Sequence, residues 1–170
     1  MQTYLKSNAG YAVVTYLLAI GDRHLENLML TAKGNLFHID FGFILGRNPP
    51  NKGLWVPHIR INKPMVLGMG GLQSKNYENF KQKTIDAFLY LRNSRHLILN
   101  IFYMMIDAGM PDLPSDKHHK ILSKLNDRFL PELSNEEARQ RFTEILDESV
   151  NAQFAEFLEH IHILSVKMKY

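Results

Sequence analysis

Two clusters of polar residues, separated by a short apolar segment, constrain the fold of this chain more than any other feature. The first cluster is Gly21-Asp22-Arg23-His24-Leu25-Glu26-Asn27, and the second begins at Asp40-Phe41-Gly42. Between them, residues 27–30 and 36–39 are apolar runs joined by the glycine-containing segment 31–35. Two apolar runs with such a loop predict a β-hairpin. The hairpin would place the two polar clusters side by side at one end of a small sheet.

The side chains of these clusters suit phosphoryl transfer from a magnesium nucleotide. Asn27 opens the first strand and Asp40 closes the second, and amide and carboxylate oxygens are ligands that Mg²⁺ accepts in proteins. His24 can accept or donate a proton near pH 7, while Asp22 can orient it or act as the base itself. Arg23 has a structural alternative, in which it anchors the loop through an ion pair. Each residue alone could cap a turn or simply be exposed, so the interpretation rests on their joint occurrence at this spacing.

The composition is that of a globular chain without cysteine chemistry. The 170 residues are 45% apolar and 22% charged, which is enough for one core. The lack of cysteine excludes a disulfide framework and a thiolate metal site or nucleophile. The longest apolar run, residues 97–106, is interrupted by Asn100 and is far shorter than the ~20 residues of a spanning helix. With no N-terminal signal pattern either, we expect a soluble, cytoplasmic chain.

Positive charge is concentrated directly after the second polar cluster. Residues 41–77 contain no Asp or Glu, although the net charge of the whole chain is only +3. The basic residues of this segment are Arg47, Lys52, Arg60, Lys63 and Lys75. A basic segment at this position favours an anionic partner over a merely solvated loop. A nucleic-acid partner is not expected.

Helical patterns dominate the rest of the chain. Small and apolar residues all round predict a buried helix over residues 4–20. Ser74 is the expected N-cap of a helix over 77–92, and Ser134 with Glu137 forms a capping box for a helix that runs to the end, with a bend near Ser149. Further helices are predicted over 95–108, as the centre of the core, and from Ser115 or Asp116 to about Asn126. The predicted fold is mainly α with a small β-hairpin (α+β), in one domain.

The polar clusters also identify a family resemblance. Gly-Asp-Arg-His-x-x-Asn followed by His38-Ile39-Asp40-Phe41-Gly42 resembles the catalytic and activation loops of the phosphatidylinositol 3/4-kinase superfamily. The likeness continues along the chain and is greatest to the class III phosphatidylinositol 3-kinases. The further motifs that carry it are Ile44-Leu45-Gly46-Arg47, Asn62-Lys63, Gly68-Met69-Gly70-Gly71, Ala87-Phe88-Leu89-x-Leu91-Arg92 and Asp147-Glu148-Ser149-Val150.

The resemblance implies that residues 1–170 form the C-terminal lobe of a protein-kinase-like fold, with ATP and Mg²⁺ (or Mn²⁺) as cofactors. Its parts would be a catalytic loop at about 20–28, an activation loop at about 40–64 and an amphipathic C-terminal helix at about 150–168. Implied roles are catalysis for Asp22 and His24, metal binding for Asn27 and Asp40, nucleotide binding for Met29, Ile39 and Asp40, lipid binding for Arg47, Lys52, Arg60 and Lys63, and structural support for Arg23, Phe41 and Gly42.

The implied reaction moves the γ-phosphate of ATP to the 3-hydroxyl of phosphatidylinositol, giving phosphatidylinositol 3-phosphate. Class I relatives carry a dense basic cluster in the activation loop, whereas the dispersed cations here suit an unphosphorylated headgroup. The resemblance also implies a protein-kinase-like regulatory subunit and a peripheral position on endosomal or autophagic membranes. The C-terminal helix, with its apolar face from Phe154 to Met168, would pack on the lobe, meet a membrane surface, or do both.

Several departures from the family pattern keep other interpretations open. Glu26 stands where the family pattern has Asp, and Pro64 and Leu67 stand where the family usually has acidic residues. The 51–58 loop also differs from that of close relatives. Its Trp55 would either anchor the chain at a membrane interface or cover the core. Only about twenty residues precede the catalytic loop, so the Gly-rich loop and lysine of an N-terminal lobe are missing. We therefore expect the chain alone to have little activity. The alternatives are a phosphatidylinositol 4-kinase, a lipid-kinase-like protein kinase, or a silent fragment that acts as a binding module.

Overall fold

Six α-helices and one two-stranded sheet make up the part of the chain that is described below. A computed structural model describes residues 1–49 and 58–167, with side chains as far as residue 153. In chain order the elements are α1 (Gln2–Leu17), β1 (Leu28–Leu30), β2 (Leu36–His38), α2 (Lys63–Gly68), α3 (Lys75–Asn93), α4 (Arg95–Met104), α5 (His118–Asp127) and α6 (Asn135–Lys167). Short 3₁₀ turns lie at Leu25–Asn27 and Ile106–Ala108. The predicted α+β class, mainly helical with one small hairpin, is confirmed.

Helix α1 is buried, as its apolar sequence predicted, and it occupies the central place in the core that was predicted for residues 95–108. It packs against α3 and strand β2 and buries residues on most of its circumference. The helix ends where Ala19 adopts a left-handed conformation, with φ of 47°. The N–H of Ala19 donates to the carbonyl of Tyr16 and the N–H of Ile20 donates to that of Thr15. This pair of bonds is a Schellman motif, and it turns the chain sharply into the first polar cluster.

The hairpin pairs β1 with β2 in antiparallel register, with Leu28 opposite His38 and Leu30 opposite Leu36. These residues share the face directed toward α1, where His38 is buried. The loop closes with the N–H of Thr31 donating to Asn35, and Gly34 supplies the positive φ of 84° that the turn requires. The predicted hairpin and its loop are thus confirmed.

Aromatic packing joins α1, α3 and α6 in the core. The rings of Phe88 and Phe142 are stacked, with centroids 4.0 Å apart and an interplanar angle of 6°. Tyr16 of α1 meets both rings edge-on, at 5.2 Å from Phe142 and 6.1 Å from Phe88. Phe88 and Phe142 have no exposed surface, so this cluster fixes α1 against the two longest helices.

Helix α4 is a correction to the sequence-based expectation. The segment 95–108 was predicted as the centre of the core, but α4 covers only Arg95–Met104 and has no buried residue. Leu97 is 64% exposed and Met104 78% exposed. One side of α4, with Ile98 and Phe102, packs against the core, whereas the other side faces outward. An apolar helix that packs on one side only leaves its other face in solvent, and periodicity could not reveal this because both faces are apolar.

Helices α3 and α6 begin at the N-cap residues that the sequence predicted. The hydroxyl of Ser74 accepts the N–H of Tyr77 at the start of α3. Ser134 and Glu137 exchange two hydrogen bonds between side chain and backbone, of 2.8 and 3.3 Å, which confirms the capping box. The backbone of α6 continues as one helix past Ser149 to Lys167, so the predicted bend does not end it. The proposed apolar face of this helix lies beyond the described side chains.

Arg92 holds the connection between α5 and α6. Its guanidinium donates to the carbonyls of Phe129, Leu130 and Leu133 and to the side chain of Asn135. Carbonyls of a loop need such donors when no secondary structure satisfies them.

Among the helices that the structure describes, none is long and apolar enough to cross a membrane.

Replacing Phe142 by Ala should lower the free energy of unfolding by about 3–5 kcal/mol, because the change removes a buried ring and leaves a cavity beside Phe88. Urea denaturation followed by circular dichroism measures the effect. Tyr90→Ala is the matched control, since Tyr90 is 75% exposed and its loss should change stability by no more than about 0.5 kcal/mol. Equal losses in the two variants would contradict the aromatic cluster as the centre of the core.

Candidate active site

Three polar side chains of the first cluster meet directly after helix α1. The Nε2 atom of His24 lies 3.4 Å from Oδ2 of Asp22. The amide Nδ2 of Asn27 donates to the same Asp22 oxygen at 3.3 Å and to the Asp22 carbonyl at 3.4 Å. Asn27 is buried at the end of a 3₁₀ turn, whereas the ring of His24 remains partly exposed. Asp22 therefore orients both neighbours, and the Asn27 amide oxygen stays available as an acceptor.

Asp40 joins this group through the hairpin. The N–H of Ile39 donates to the carbonyl of Asn27 at 2.9 Å, which extends the sheet by one pair and places Asp40 beside the first cluster. Asp40 has a left-handed backbone with φ of 69°, a conformation that Asp tolerates better than most residues. Its Oδ1 atom accepts the N–H of Gly42 at 2.9 Å. One carboxylate oxygen of Asp40 is thus used by the turn, and the residue as a whole is exposed.

The side-chain oxygens of this group are suitable ligands for a magnesium ion that also binds a nucleotide. Mg²⁺ is usually held by one or two carboxylates, with waters and substrate phosphates completing its shell. Asp40 and Asn27 supply a carboxylate and an amide oxygen of this kind. The described residues contain no group of three or more His, Cys, Asp or Glu side chains that could hold a metal by themselves.

His38 supports Asp40 from the core side. Its Nε2 atom lies 3.1 Å from the carbonyl of Asp40, so the tautomer with hydrogen on Nε2 donates to that carbonyl. The ring of Phe41 packs edge-on against His38 at 5.2 Å. Burial lowers the pKa of His38, which favours the neutral ring. Sequence analysis noted His38 only as part of a motif, and its place beside the motif Asp is the signal that could have identified it.

Arg23 lies under the site rather than in it. Its side chain is almost fully buried, and Nη1 donates to the carbonyl of His58 at 3.1 Å. Burial lowers the pKa of Arg23 to about 10, with smaller contributions from Arg60 and Arg128. Arg23 thereby anchors the C-terminal part of the segment that follows Asp40, through a backbone carbonyl. The sequence-based alternative for Arg23 was an anchor through an ion pair, and the contact seen here is a hydrogen bond to a backbone carbonyl.

The N-terminal part of the same segment is held by the end of α1. The N–H of Gly21 donates to the carbonyl of Phe43, and the N–H of Leu45 donates to the carbonyl of Leu18. These two stretches of the chain approach so closely that a Cβ atom on Gly21 would lie 2.2 Å from the carbonyl oxygen of Arg47. Only glycine fits such an approach. Gly21, the first residue of the first polar cluster, is therefore required for packing at this position.

Helix α6 holds the far end of the segment. The N–H of Ile59 donates to the hydroxyl of Ser149, and the side chain of Gln153 donates to the carbonyl of Ile59 at 3.0 Å. Sequence analysis assigned no contact to Ser149 or Gln153. The available signal was the place of Ser149 in the motif Asp147-Glu148-Ser149-Val150. In the structure Ser149 is buried, and a buried hydroxyl needs a hydrogen-bond partner.

The basic residues of the 40–64 segment are engaged in different ways. Nε of Arg47 lies 2.6 Å from Oδ1 of Asp112, and the guanidinium also packs over the ring of Phe43. Nε of Arg60 lies 3.4 Å from the side-chain oxygen of Asn62. Lys63 begins helix α2. Arg47 thus fastens the segment to the chain before α5.

Two further residues that the sequence analysis assigned to lipid or membrane contacts are not among the residues that the structure describes. Lys52 and Trp55 both lie outside the described residues, as does most of the 51–58 loop.

Two of the three expected nucleotide contacts, Met29 and Ile39, lie on the outer face of the hairpin. Met29 is 46% exposed and Ile39 40% exposed, and Phe37 lies on the same face. Apolar side chains exposed together next to the polar cluster could cover a flat aromatic base. This face is continuous with the exposed edge of the Asp40 turn.

Comparison with known proteins decides which family this arrangement belongs to. Residues 1–115 match the family model described as phosphatidylinositol 3- and 4-kinase. The matched region contains the hairpin, both polar clusters and the 40–64 segment. The chain belongs to the phosphatidylinositol 3- and 4-kinase family. The predicted resemblance is confirmed.

Relatives within this kinase family match nearly the whole chain. The phosphatidylinositol 3-kinase pik3 of Schizosaccharomyces pombe is 43% identical over 99% of the chain and 21% of the relative's length. The phosphatidylinositol 3-kinase VPS34 of Arabidopsis thaliana is 44% identical over 95% of the chain and 19% of its own length. The phosphatidylinositol 3-kinase catalytic subunit type 3 of Caenorhabditis elegans is 40% identical over 95% and 18%. The chain therefore spans about a fifth of the length of these relatives.

Substituting Gly21 by Ala should lower the free energy of unfolding by about 1–3 kcal/mol, since the new methyl group overlaps the Arg47 carbonyl. Gly10→Ala is the matched control. A Cβ at Gly10 meets nothing within 4 Å in the middle of α1, so this variant should gain about 0.5–1 kcal/mol. Denaturant unfolding of both variants checks the opposite signs, and equal effects would contradict the close approach at Gly21.

Proposed function

We propose that this chain is the catalytic C-terminal lobe of a lipid kinase that transfers the γ-phosphate of ATP to the 3-hydroxyl of phosphatidylinositol. The observation that carries the proposal is the convergence of Asp22, His24, Asn27 and Asp40 at one end of the hairpin, in a member of this kinase family. The relatives named above are all called phosphatidylinositol 3-kinases. Their names favour the 3-hydroxyl over the 4-hydroxyl and over a protein substrate.

Asn27 and Asp40 would hold the magnesium (or manganese) ion of the nucleotide. The bound ion supplies positive charge for the phosphate oxygens during transfer. The hydrogen bonds from Asn27 Nδ2 to Asp22 fix the amide so that its oxygen remains free for this purpose. The turn bond from Gly42 fixes the carboxylate of Asp40.

His24 and Asp22 would manage the proton of the lipid hydroxyl. As the 3-hydroxyl oxygen forms its bond to the γ-phosphorus, the bond from that phosphorus to the bridging oxygen of ADP breaks. The hydroxyl proton moves to the imidazole of His24, which Asp22 orients from 3.4 Å and whose positive charge it stabilises. The partial exposure of His24 lets a substrate hydroxyl reach it.

The remaining assigned residues would bind and orient the two substrates. Met29 and Ile39 offer apolar surface to the adenine ring. Arg60 and Lys63, together with Lys52, would attract the phosphodiester of the lipid headgroup and the anionic membrane around it. Arg47 is already paired with Asp112, so we assign it to positioning of the lipid-binding segment.

We further propose a peripheral position on endosomal or autophagic membranes and a protein-kinase-like regulatory subunit. Both proposals rest on the resemblance to class III phosphatidylinositol 3-kinases. A lipid substrate requires the site to work at a membrane surface, and the described helices include none that could span one.

Asp40→Asn in the whole kinase should lower phosphatidylinositol turnover about 100-fold, because an amide cannot neutralise the metal as a carboxylate does. Asn tolerates the same left-handed backbone and can still accept the Gly42 N–H, so thermal unfolding should be unchanged. Asp86→Asn is the matched control on the exposed side of α3 and should retain turnover. Radiolabelled phosphate transfer at several Mg²⁺ concentrations provides the measurement. Turnover by Asp40→Asn above half the unmodified rate would rule out the metal role.

Removing residues 159–170 from the whole kinase should reduce turnover on liposomes more than ATP hydrolysis without lipid. The physical reason is the amphipathic sequence pattern at the end of α6, whose apolar face can enter a membrane interface. Glu156→Gln, off that face, is the control and should leave both rates near their original values. Equal losses of the two rates after truncation would mean that the helix end has only a packing role.

A further inference from the structure

A cavity of about 280 Å³ lies beneath the 40–64 segment, away from the metal-binding side chains. It is formed where the end of α1 and helix α5 meet the segment. Among the described residues that line it, the polar and charged ones are Thr15, Arg23, Asn48, His58, Lys124 and Arg128. None of the described lining residues is acidic, and residues 50–57 contain no Asp or Glu either. Asp22, Asn27 and Asp40 do not line this cavity.

Arg128 contributes a guanidinium that a carbonyl and a ring hold in place. Its Nη1 atom donates to the carbonyl of Tyr16 at 2.6 Å, and its central carbon lies 5.3 Å from the centre of the Tyr16 ring. No carboxylate among the described residues pairs with Arg128. A guanidinium has five N–H groups, and the bond to Tyr16 uses one of them. Arg128 is therefore fixed in position with donors left for a ligand.

Lys124 lies in the last turn of α5, and Arg128 is the C-cap residue that follows the helix, four positions later and still with helical backbone angles. Side chains four residues apart on a helical backbone lie on the same side. Lys124 is an exposed residue, and none of the ion pairs among the described residues includes it. The two cations therefore reach the cavity together from the C-terminal end of α5.

The cations of this cavity destabilise one another. The pKa of Arg23 is lowered to about 10, first by burial and then by Arg60 and Arg128. The pKa of His58 is lowered by burial and then by Arg128 and Arg23. Charges of one sign that are held together in a partly enclosed space cost free energy, and an anion placed among them offsets that cost.

We propose that this cavity binds a phosphate-bearing anion between Arg23, Lys124 and Arg128. Arginine forks match phosphate oxygens in pairs, and lysine adds a point charge. A phosphate monoester carries about −1.5 to −2 charges near pH 7, which suits three converging cations better than a single carboxylate does. Since Asn48 and His58 also line the cavity, the bound anion would join α5 to both sides of the 40–64 segment. The proposal does not depend on the kinase reaction.

The test uses inorganic phosphate as the probe, added to the purified protein at constant ionic strength with chloride as the reference. Phosphate should raise the unfolding temperature in a saturable way. Lys124→Gln should weaken the apparent affinity about tenfold, and this exposed position keeps the fold intact. Lys120→Gln, on the same helix but outside the cavity lining, is the matched control and should bind phosphate as the original protein does. Asp40→Asn should also bind phosphate normally, which separates this site from the proposed active site.

Two further arms distinguish the sources of the phosphate. Saturable binding of soluble inositol 1-phosphate that Lys124→Gln weakens would assign the cavity to free phosphate esters. Tighter binding of phosphatidylinositol in phosphatidylcholine vesicles than of soluble inositol 1-phosphate, again weakened by Lys124→Gln, would assign it to the lipid headgroup. A phosphate effect no larger than that of chloride, or equal effects of Lys124→Gln and Lys120→Gln, would overturn the proposal.

Discussion

The C-terminal end of helix α1 is the constraint on which the candidate site depends. The helix is buried on most sides, and Tyr16 packs its ring against Phe88 and Phe142. Backbone groups at such a buried end need hydrogen-bond partners. The carbonyls of Leu18 and Ala19 obtain them from the N–H groups of Leu45 and Gly46. The same bonds that satisfy the helix end therefore hold the chain that follows Asp40.

The site itself is built from short-range contacts on this rigid support. Asp22, His24 and Asn27 lie within six residues and orient one another. The hairpin then returns the chain so that Asp40 lies next to Asn27. Asp40 occupies a left-handed conformation that is uncommon for a residue other than glycine. The Gly42 N–H and His38 ring compensate for this strain by bonding to its carboxylate and its carbonyl.

Long-range contacts hold the segment beyond the site, and they explain why family motifs occur far along the chain. Ser149 and Gln153 of α6 bond both backbone groups of Ile59. Asp147 of the same motif pairs with Lys81 of α3 at 2.8 Å. Asp112, before α5, pairs with Arg47. Helix α6 and Asp112 thus fix the position of the segment that follows Asp40, while the Asp147–Lys81 pair holds α6 against α3.

The sequence by itself determined the features whose causes are local. The hairpin, the Ser74 cap and the Ser134–Glu137 capping box each depend on residues only a few positions apart. The grouping of Asp22, His24, Asn27 and Asp40 followed from the hairpin in the same way. Local spacing fixes such features because the backbone geometry of turns and helix ends is short-ranged.

Only the tertiary structure decided which surfaces are covered and which charges are paired. Helix α4 carries apolar side chains on both faces, yet it lies at the edge of the core because its neighbours cover only one of them. Arg47 forms an ion pair with Asp112, 65 positions later, whereas the sequence analysis assigned it to lipid binding. Arg23, Lys124 and Arg128 converge from two distant stretches of sequence. Burial and ion pairing depend on the partner that folding brings close, and no local pattern of residues contains that information.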